Sequence, residues 1–97
     1  MELNGKQKRH LRALGSALDP VVQVGKGGIV ETVVITAKEA ISKRELIKVR
    51  VLKNSPVEPK EALEELARLS GADLVQVIGR NGLLYAPNPE KPKIELP

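Results

Sequence analysis

The stretch that decides the fold reads Pro20-Val21-Val22-Gln23-Val24-Gly25-Lys26-Gly27-Gly28. Its first half is a short run rich in β-branched residues, which predicts a strand over 21–24. Its second half follows without a gap and contains three glycines and one lysine. Glycines let the backbone turn tightly and approach a ligand closely, and the N–H groups of a following helix favour anions. The stretch therefore predicts a strand that leads into a tight turn before a helix, and on these residues alone the turn is either purely structural or a phosphate-binding loop.

The segment after this loop predicts a helix, although it is rich in β-branched residues. Propensity alone favours a strand for part of it, because such side chains lose rotamer freedom in a helix. The spacing of its apolar residues favours a helix instead, because four of them fall on one helical face: Val30, Val33, Ala37 and Ile41. We therefore predict a helix over 29–43 that is held by packing rather than by propensity.

The rest of the chain alternates between helices and strands in the same way. A first helix over 4–18 has Leu11, Leu14 and Leu18 on its inner face. The other predicted elements are a strand over 45–51, a helix over 59–70, strands over 74–78 and 83–86, and a proline-rich extended tail from about 87 to 97. We expect the Asn81-Gly82 pair to form the turn between the last two strands, because it is a strong hairpin signal.

These elements predict one α/β domain over 1–97, with the order α-β-α-β-α-β-β. The architecture is a two-layer sandwich, in which helices pack on a small mixed four-stranded sheet. The β-α-β connections are expected to be parallel and the last hairpin antiparallel.

The composition excludes several classes of function. The chain has 97 residues, no cysteine and one histidine, so disulfides, thiol catalysis and sites with several histidine ligands are excluded. No apolar run approaches the roughly 18–20 residues of a membrane span. We therefore predict a soluble cytoplasmic protein that is not an enzyme, holds no metal or cofactor and has no membrane partner. The composition leaves the oligomeric state open, and a monomer is the expectation.

The charge distribution points to a polyanionic partner. The net charge is +4, and residues 1–53 carry eleven basic and five acidic side chains, whereas residues 54–97 carry five and seven. Four cations fan across the outer side of the first helix: Lys6, Lys8, Arg9 and Arg12. Tyr85 is the only aromatic residue, which argues against stacking of several bases on aromatic rings. A bound nucleic acid is therefore expected to be gripped through its backbone.

Several strings together resemble the CRM-domain family (chloroplast RNA splicing and ribosome maturation), and within it the stand-alone bacterial YhbY-like branch. They are Gly5 through Arg12, Pro20 through Gly28, Glu45 through Val49, Gly71-Ala72 with Val75 through Arg80, and Pro92 through Pro97. The resemblance implies an RNA-binding protein that associates with precursors of the large ribosomal subunit. It also implies a fold similar to the C-terminal domain of translation initiation factor three, with strand order 1-2-4-3 and strand 4 antiparallel.

The same resemblance implies which residues bind RNA. Gly25, Lys26, Gly27 and Gly28 match the G-x-x-G loop of the family. Lys6, Arg9 and Arg12 match its basic first helix, with Lys8 beside them, and Arg80 matches an arginine of the last hairpin. Lys48 and Arg50 are expected to face water.

Two other kinds of function stay open on the sequence alone. The same basic face could meet an acidic partner protein, which would make the chain an interaction adaptor. It could also serve a DNA-binding architectural protein, since small basic proteins of similar strand order exist. RNase-insensitive association would favour the adaptor, and equal affinity for duplex DNA and structured RNA would favour the DNA-binding protein.

Overall fold

The computed structural model describes residues 2–97, which form three helices and one four-stranded sheet. The elements are α1 (Gly5–Gly15), β1 (Pro20–Val24), α2 (Glu31–Arg44), β2 (Leu46–Val51), α3 (Pro59–Ser70), β3 (Asp73–Ile78) and β4 (Asn81–Tyr85). The strand order is β1-β2-β4-β3; β1 is parallel to β2, and β4 is antiparallel to both of its neighbours. The predicted element order, mixed sheet and strand order are confirmed. Within residues 2–97, no helix has the length and apolar character needed to cross a membrane.

The sheet is covered on both faces, because its central strands alternate apolar residues between the two sides. α2 and α3 cover one face and bury the larger core, which includes Ile47, Val49 and Leu84. α1 and the C-terminal segment cover part of the other face, where Leu46 and Tyr85 are buried. The sheet together with α2 and α3 forms the predicted two-layer α/β sandwich. α1 adds a partial third layer on the opposite face of the sheet.

The predicted start of α2 is wrong by two residues. α2 begins at Glu31, and Val30 is an extended residue before it, with a side chain that is 43% exposed. The N–H of Val30 donates to the carbonyl of Gly28 at 3.1 Å, so the loop continues to that point. Ala37 and Ile41 are buried as predicted, and they anchor this β-branched helix on the sheet.

The predicted extent of α1 is also wrong, because the helix ends at Gly15 rather than at residue 18. Its inner face consists of Leu11 and Gly15, one helical turn apart, whereas Leu14 is 42% exposed. A Cβ atom on Gly15 would collide with the side chain of Leu83 in β4. The glycine therefore lets the end of α1 lie directly on the sheet, which turns Leu14 away from it.

The hairpin turn is at Gly79-Arg80 and not at the predicted Asn81-Gly82. Ile78 pairs with Asn81, so Asn81 and Gly82 already belong to β4. Gly79 has a φ of 57° and supplies the positive backbone angle that the turn requires. Gly82 serves packing instead, since a Cβ there would lie 2.6 Å from Cδ1 of Leu63 in α3.

This contact makes Gly82→Ala a test of the packing between α3 and the sheet. The added methyl group would force Leu63 out of its position in a closely packed core, so we expect a loss of about 1–3 kcal/mol in the free energy of unfolding, measured in urea. Gly5→Ala is the matched control, because its nearest neighbour is the Arg9 guanidinium at 3.9 Å. Equal stability of the two variants would contradict the packing described here.

Glu45 fastens the C-terminal tail to the sheet. It is fully buried, has a φ of 65°, and follows α2 directly. Its carboxylate accepts hydrogen bonds from the backbone N–H groups of Asn88, Lys93 and Ile94 at 2.5, 2.6 and 2.8 Å. Ile94 and Leu96 then pack against the second core cluster. The tail predicted from its prolines therefore folds back onto the domain, which sequence reasoning did not anticipate.

The ionisation of Glu45 follows from these contacts. Burial alone would raise the pKa of its carboxyl group, but the three backbone N–H groups and the charge of Lys93 outweigh burial, so the pKa lies below its ordinary value of 4.5. The charged form is therefore the one that holds the tail.

Candidate nucleic-acid interface

The glycine loop, Gly25–Gly28, is a tight turn that presents one lysine. The N–H of Gly28 donates to the carbonyl of Gly25 at 3.0 Å, and Gly28 has a φ of 71°. Gly28 is buried against Pro56, whereas Lys26 and Gly27 are exposed at the tip. This geometry holds the lysine outward with accessible backbone beside it.

A second loop lies directly beside the glycine loop, because the carboxyl ends of two parallel strands meet at one edge of the sheet. The N–H of Leu52 donates to the carbonyl of Val24 at 2.8 Å. The Cβ position of Gly25 is 3.6 Å from Leu52 and 3.9 Å from Oδ1 of Asn54. Lys53 and Asn54 are exposed in this second loop. Sequence reasoning missed them, although the predicted parallel pairing of these strands already brought their ends together.

Arg80 lies at the same edge of the sheet, but its guanidinium holds the protein together. Nε donates to the carbonyl of Val51 at 2.9 Å, and one terminal nitrogen donates to the carbonyl of Leu52 at 2.8 Å. The N–H of Val51 in turn donates to the carbonyl of Arg80 at 2.7 Å. Arg80 thus fixes the hairpin turn to the loop that flanks the glycine loop, and its role as an RNA contact stays a prediction.

The four cations of α1 do not lie together. Lys6 and Arg9 are exposed, whereas Lys8 is half-buried in a hollow beside Asp73. Asp73 begins β3 and lies at the opposite end of the sheet from the glycine loop, since its partner Tyr85 pairs with Leu46 at the start of β2. The structure therefore separates Lys8 from the loop with which it was grouped.

Arg12 is instead brought to a basic area of the sheet. It is half-buried and lines the same cavity as Lys48 of β2. Arg50, two residues further along β2, is exposed and pairs with Gln23 and Asn81. We call Arg12, Lys48 and Arg50 the basic sheet face. Arg50 is exposed, as expected, whereas Lys48 is half-buried and lines a cavity together with Arg12.

The site offers cations and backbone amides rather than reactive groups. Within residues 2–97, no cluster of three or more His, Cys, Asp or Glu side chains could hold a metal ion. The candidate cations lie on loops, on α1 and on the sheet surface rather than in a deep cleft. Such an arrangement suits an extended polyanion whose phosphates are spread over the surface.

Comparison with known proteins finds relatives that are named RNA-binding proteins. The Bacillus subtilis protein YqeI, named a probable RNA-binding protein, is 44% identical over 95 residues, which cover 98% of this chain and 99% of that protein. A Haemophilus influenzae protein named an RNA-binding protein is 37% identical over 95 residues, covering 98% and 95%. A solution structure of a Staphylococcus aureus protein to which RNA binding is ascribed matches with a TM-score of 0.83 and 45% identity, covering 99% of this chain and all of that one.

The family assignment follows from a match to most of the chain. The model of the CRS1 / YhbY (CRM) domain matches residues 3–85, from the segment before α1 to the last residue of β4. It therefore includes the glycine loop and the basic sheet face. The chain belongs to the CRS1 / YhbY (CRM) domain family.

Proposed function

We propose that this protein binds structured RNA without catalysing a reaction, and that its RNA is that of the large ribosomal subunit during assembly. The observation that carries the proposal is the exposed Lys26 at the tip of a tight glycine loop. A lysine held there contributes nothing to the core, whereas its ammonium group and the flanking backbone suit a phosphate. The names of the relatives supply the class of ligand.

The neighbouring residues extend this contact into a surface. Lys53 and Asn54 flank the glycine loop, and Arg50 lies on the strand that leads to them. Lys26, Lys53 and the three cations of the basic sheet face together offer about four to six phosphate contacts, enough for binding in which electrostatics dominates. Contacts from Lys6 and Arg9 of α1 stay a prediction. The sequence contains a single aromatic residue, which is buried. We therefore expect most contacts to be made with the sugar-phosphate backbone of the RNA.

The ribosomal part of the proposal rests on the family resemblance and on the shape of the surface. Loops and an open sheet face fit a folded RNA better than a regular duplex groove, because such a groove is usually read by an inserted helix or β-ribbon. An RNA that is made and assembled in the cytoplasm agrees with the predicted location. The two alternative partners are an acidic protein and duplex DNA, and the binding experiments must distinguish them from RNA.

Lys26→Glu tests the loop directly. We expect its affinity for transcribed fragments of bacterial large-subunit ribosomal RNA to fall roughly tenfold or more, because one phosphate contact becomes a repulsion. Fluorescence anisotropy at low salt measures the affinity. Lys26 is exposed, so the free energy of unfolding is expected to change by less than about 0.5 kcal/mol.

Lys91→Glu is the matched control, because it makes the same change of charge at an exposed position of the tail. The N–H of Lys91 donates to Asn88, whose own N–H donates to Glu45 just before β2, so Lys91 lies near the end of β2 opposite the glycine loop. We expect it to bind RNA nearly as the native chain does. Equal affinity of the Lys26 variant and the native protein would exclude the loop from the interface. Equal binding to duplex DNA would favour the architectural alternative.

A further inference from the structure

A cavity of about 250 Å³ opens on the sheet face beside the end of α1. Arg12 and Lys48 are among the residues that line it, and Leu83 and Ile78 contribute apolar surface. Ile78 is 63% exposed, an unusual position for a large aliphatic side chain. The cavity is smaller than the roughly 300–1,000 Å³ of most small-molecule pockets, and it suits a flat group of the size of one nucleobase.

Asn81 gives the cavity a polar group that lacks a partner. Its Oδ1 atom is buried and accepts no hydrogen bond from any of residues 2–97, although Asn81 lines the cavity. A buried polar atom without a partner is costly, and such groups in native proteins call for an explanation. A rotation of the Asn81 side chain would bring this oxygen to the cavity, where it would accept a hydrogen bond from an N–H group on the edge of a nucleobase.

The two cations suit the rest of a nucleotide. A guanidinium plane such as that of Arg12 can stack on a base in the absence of aromatic rings, and a lysine can pair with the attached phosphate. The apolar surface of Leu83 and Ile78 would cover the opposite face of the base. The cavity thus combines the three contacts by which proteins hold an unstacked nucleotide: stacking, an edge hydrogen bond and a phosphate contact.

We propose that this cavity takes a single unstacked base from the RNA bound at the glycine loop. The inference rests on the proposed function and adds a base-binding subsite to it. Lys48 lies three residues before Val51, which pairs with the last residue before the loop. At about 3.3 Å per residue, the cavity and the loop are about 10 Å apart along the strand, so one RNA reaches both. A base bulged from a helix is the expected occupant.

The test compares an RNA hairpin carrying one bulged nucleotide with the same hairpin carrying an abasic residue at the bulge, for each of the four bases. We expect the native protein to bind at least one bulged hairpin roughly fivefold or more tightly than its abasic counterpart. Ser16→Leu places an aliphatic side chain at the cavity wall. In this variant we expect the ratio of the affinity for the bulged hairpin to the affinity for its abasic counterpart to fall to one. The variant is expected to leave the affinity for the abasic hairpin unchanged.

Ser42→Leu is the matched control. Both serines are exposed, and each hydroxyl donates to the carbonyl three residues earlier, Ser16 to Ala13 at 2.8 Å and Ser42 to Glu39 at 2.9 Å. Ser42 lies in α2, on the other side of the sheet, so its variant is expected to keep the native ratio. Lys26→Glu is expected to weaken both hairpins by a common factor and also to keep the ratio.

The outcomes distinguish a failure of the base-binding subsite from a failure of the proposed RNA-binding function. If the native protein binds the bulged and abasic hairpins equally tightly for all four bases, the cavity does not bind a base. RNA binding by the protein would then still stand. A ratio that survives in Ser16→Leu also overturns the cavity. Failure of the native protein to bind either hairpin at low salt overturns the proposed function, and the base-binding subsite with it.

Discussion

Glu45→Gln is expected to lower the free energy of unfolding by about 3 kcal/mol and to detach the C-terminal tail. Both carboxylate oxygens accept backbone N–H groups, one from Asn88 and the other from Lys93 and Ile94. A glutamine has only one oxygen, so its NH2 group would face an N–H donor in one of the two positions. The variant also loses the charge that strengthens all three hydrogen bonds.

Two measurements check this prediction. Urea unfolding gives the change in free energy, and amide hydrogen exchange at Lys93 and Ile94 reports whether the tail is released. Glu39→Gln, at an exposed position of α2, is the control and is expected to be neutral. Native stability together with native protection of these two amides in Glu45→Gln would show that the carboxylate does not hold the tail.

The same carboxylate predicts how stability depends on pH. Because folding lowers the pKa of Glu45 below its ordinary value of 4.5, its contribution is fully present above about pH 5.5 and is lost as the pH falls through the folded pKa. The native protein is therefore expected to lose stability on acidification more steeply than Glu45→Gln, which has no such group. Parallel stability curves between pH 6 and pH 3 would contradict this assignment.

The largest expected effect on binding comes from salt. With about four to six phosphate contacts, the logarithm of the RNA association constant should fall with the logarithm of salt concentration with a slope of about −3 to −5. Between 50 and 200 mM salt, this slope corresponds to a loss of affinity of about 60- to 1,000-fold. Such steepness distinguishes phosphate binding from a contact dominated by apolar surface.

Replacing a single lysine by neutral glutamine measures how much that cation contributes to the slope of the salt dependence. Lys26→Gln should reduce its magnitude by about one, whereas Lys91→Gln should leave it unchanged. A titration of native protein and both variants against one ribosomal RNA fragment provides the three slopes. A native slope shallower than about −1 would contradict binding through several phosphates.

The sequence predicted the order of the elements well, because that order depends on hydrophobic periodicity and on loop residues. The lengths of the elements depended on contacts between distant residues. The end of α1 lies against Leu83 at Gly15, and Leu63 packs over Gly82 within β4, so a larger residue at either position would collide with a neighbour. Both glycines resemble turn or helix-end signals in the sequence, and only the tertiary contact reveals their role.

The candidate site was predictable where the residues are local and unpredictable where the fold brings distant residues together. The glycine loop follows from nine consecutive residues, and the structure shows it as a tight turn with Lys26 exposed. The basic sheet face joins Arg12 to residues of β2 that lie more than thirty positions away. Arg80 illustrates the converse, because an arginine that looks free in the sequence is bound to Val51 and Leu52.

The measurement that tests the central claim most directly is ultraviolet crosslinking in cells, followed by sequencing of the attached RNA, for the native protein and Lys26→Glu in parallel. We predict enrichment of a discrete segment of large-subunit ribosomal RNA, stronger in precursor than in mature RNA, and a marked reduction in the variant. Recovery of no RNA above background, or of the same RNA in equal amount from Lys26→Glu, would contradict binding of ribosomal RNA through the glycine loop.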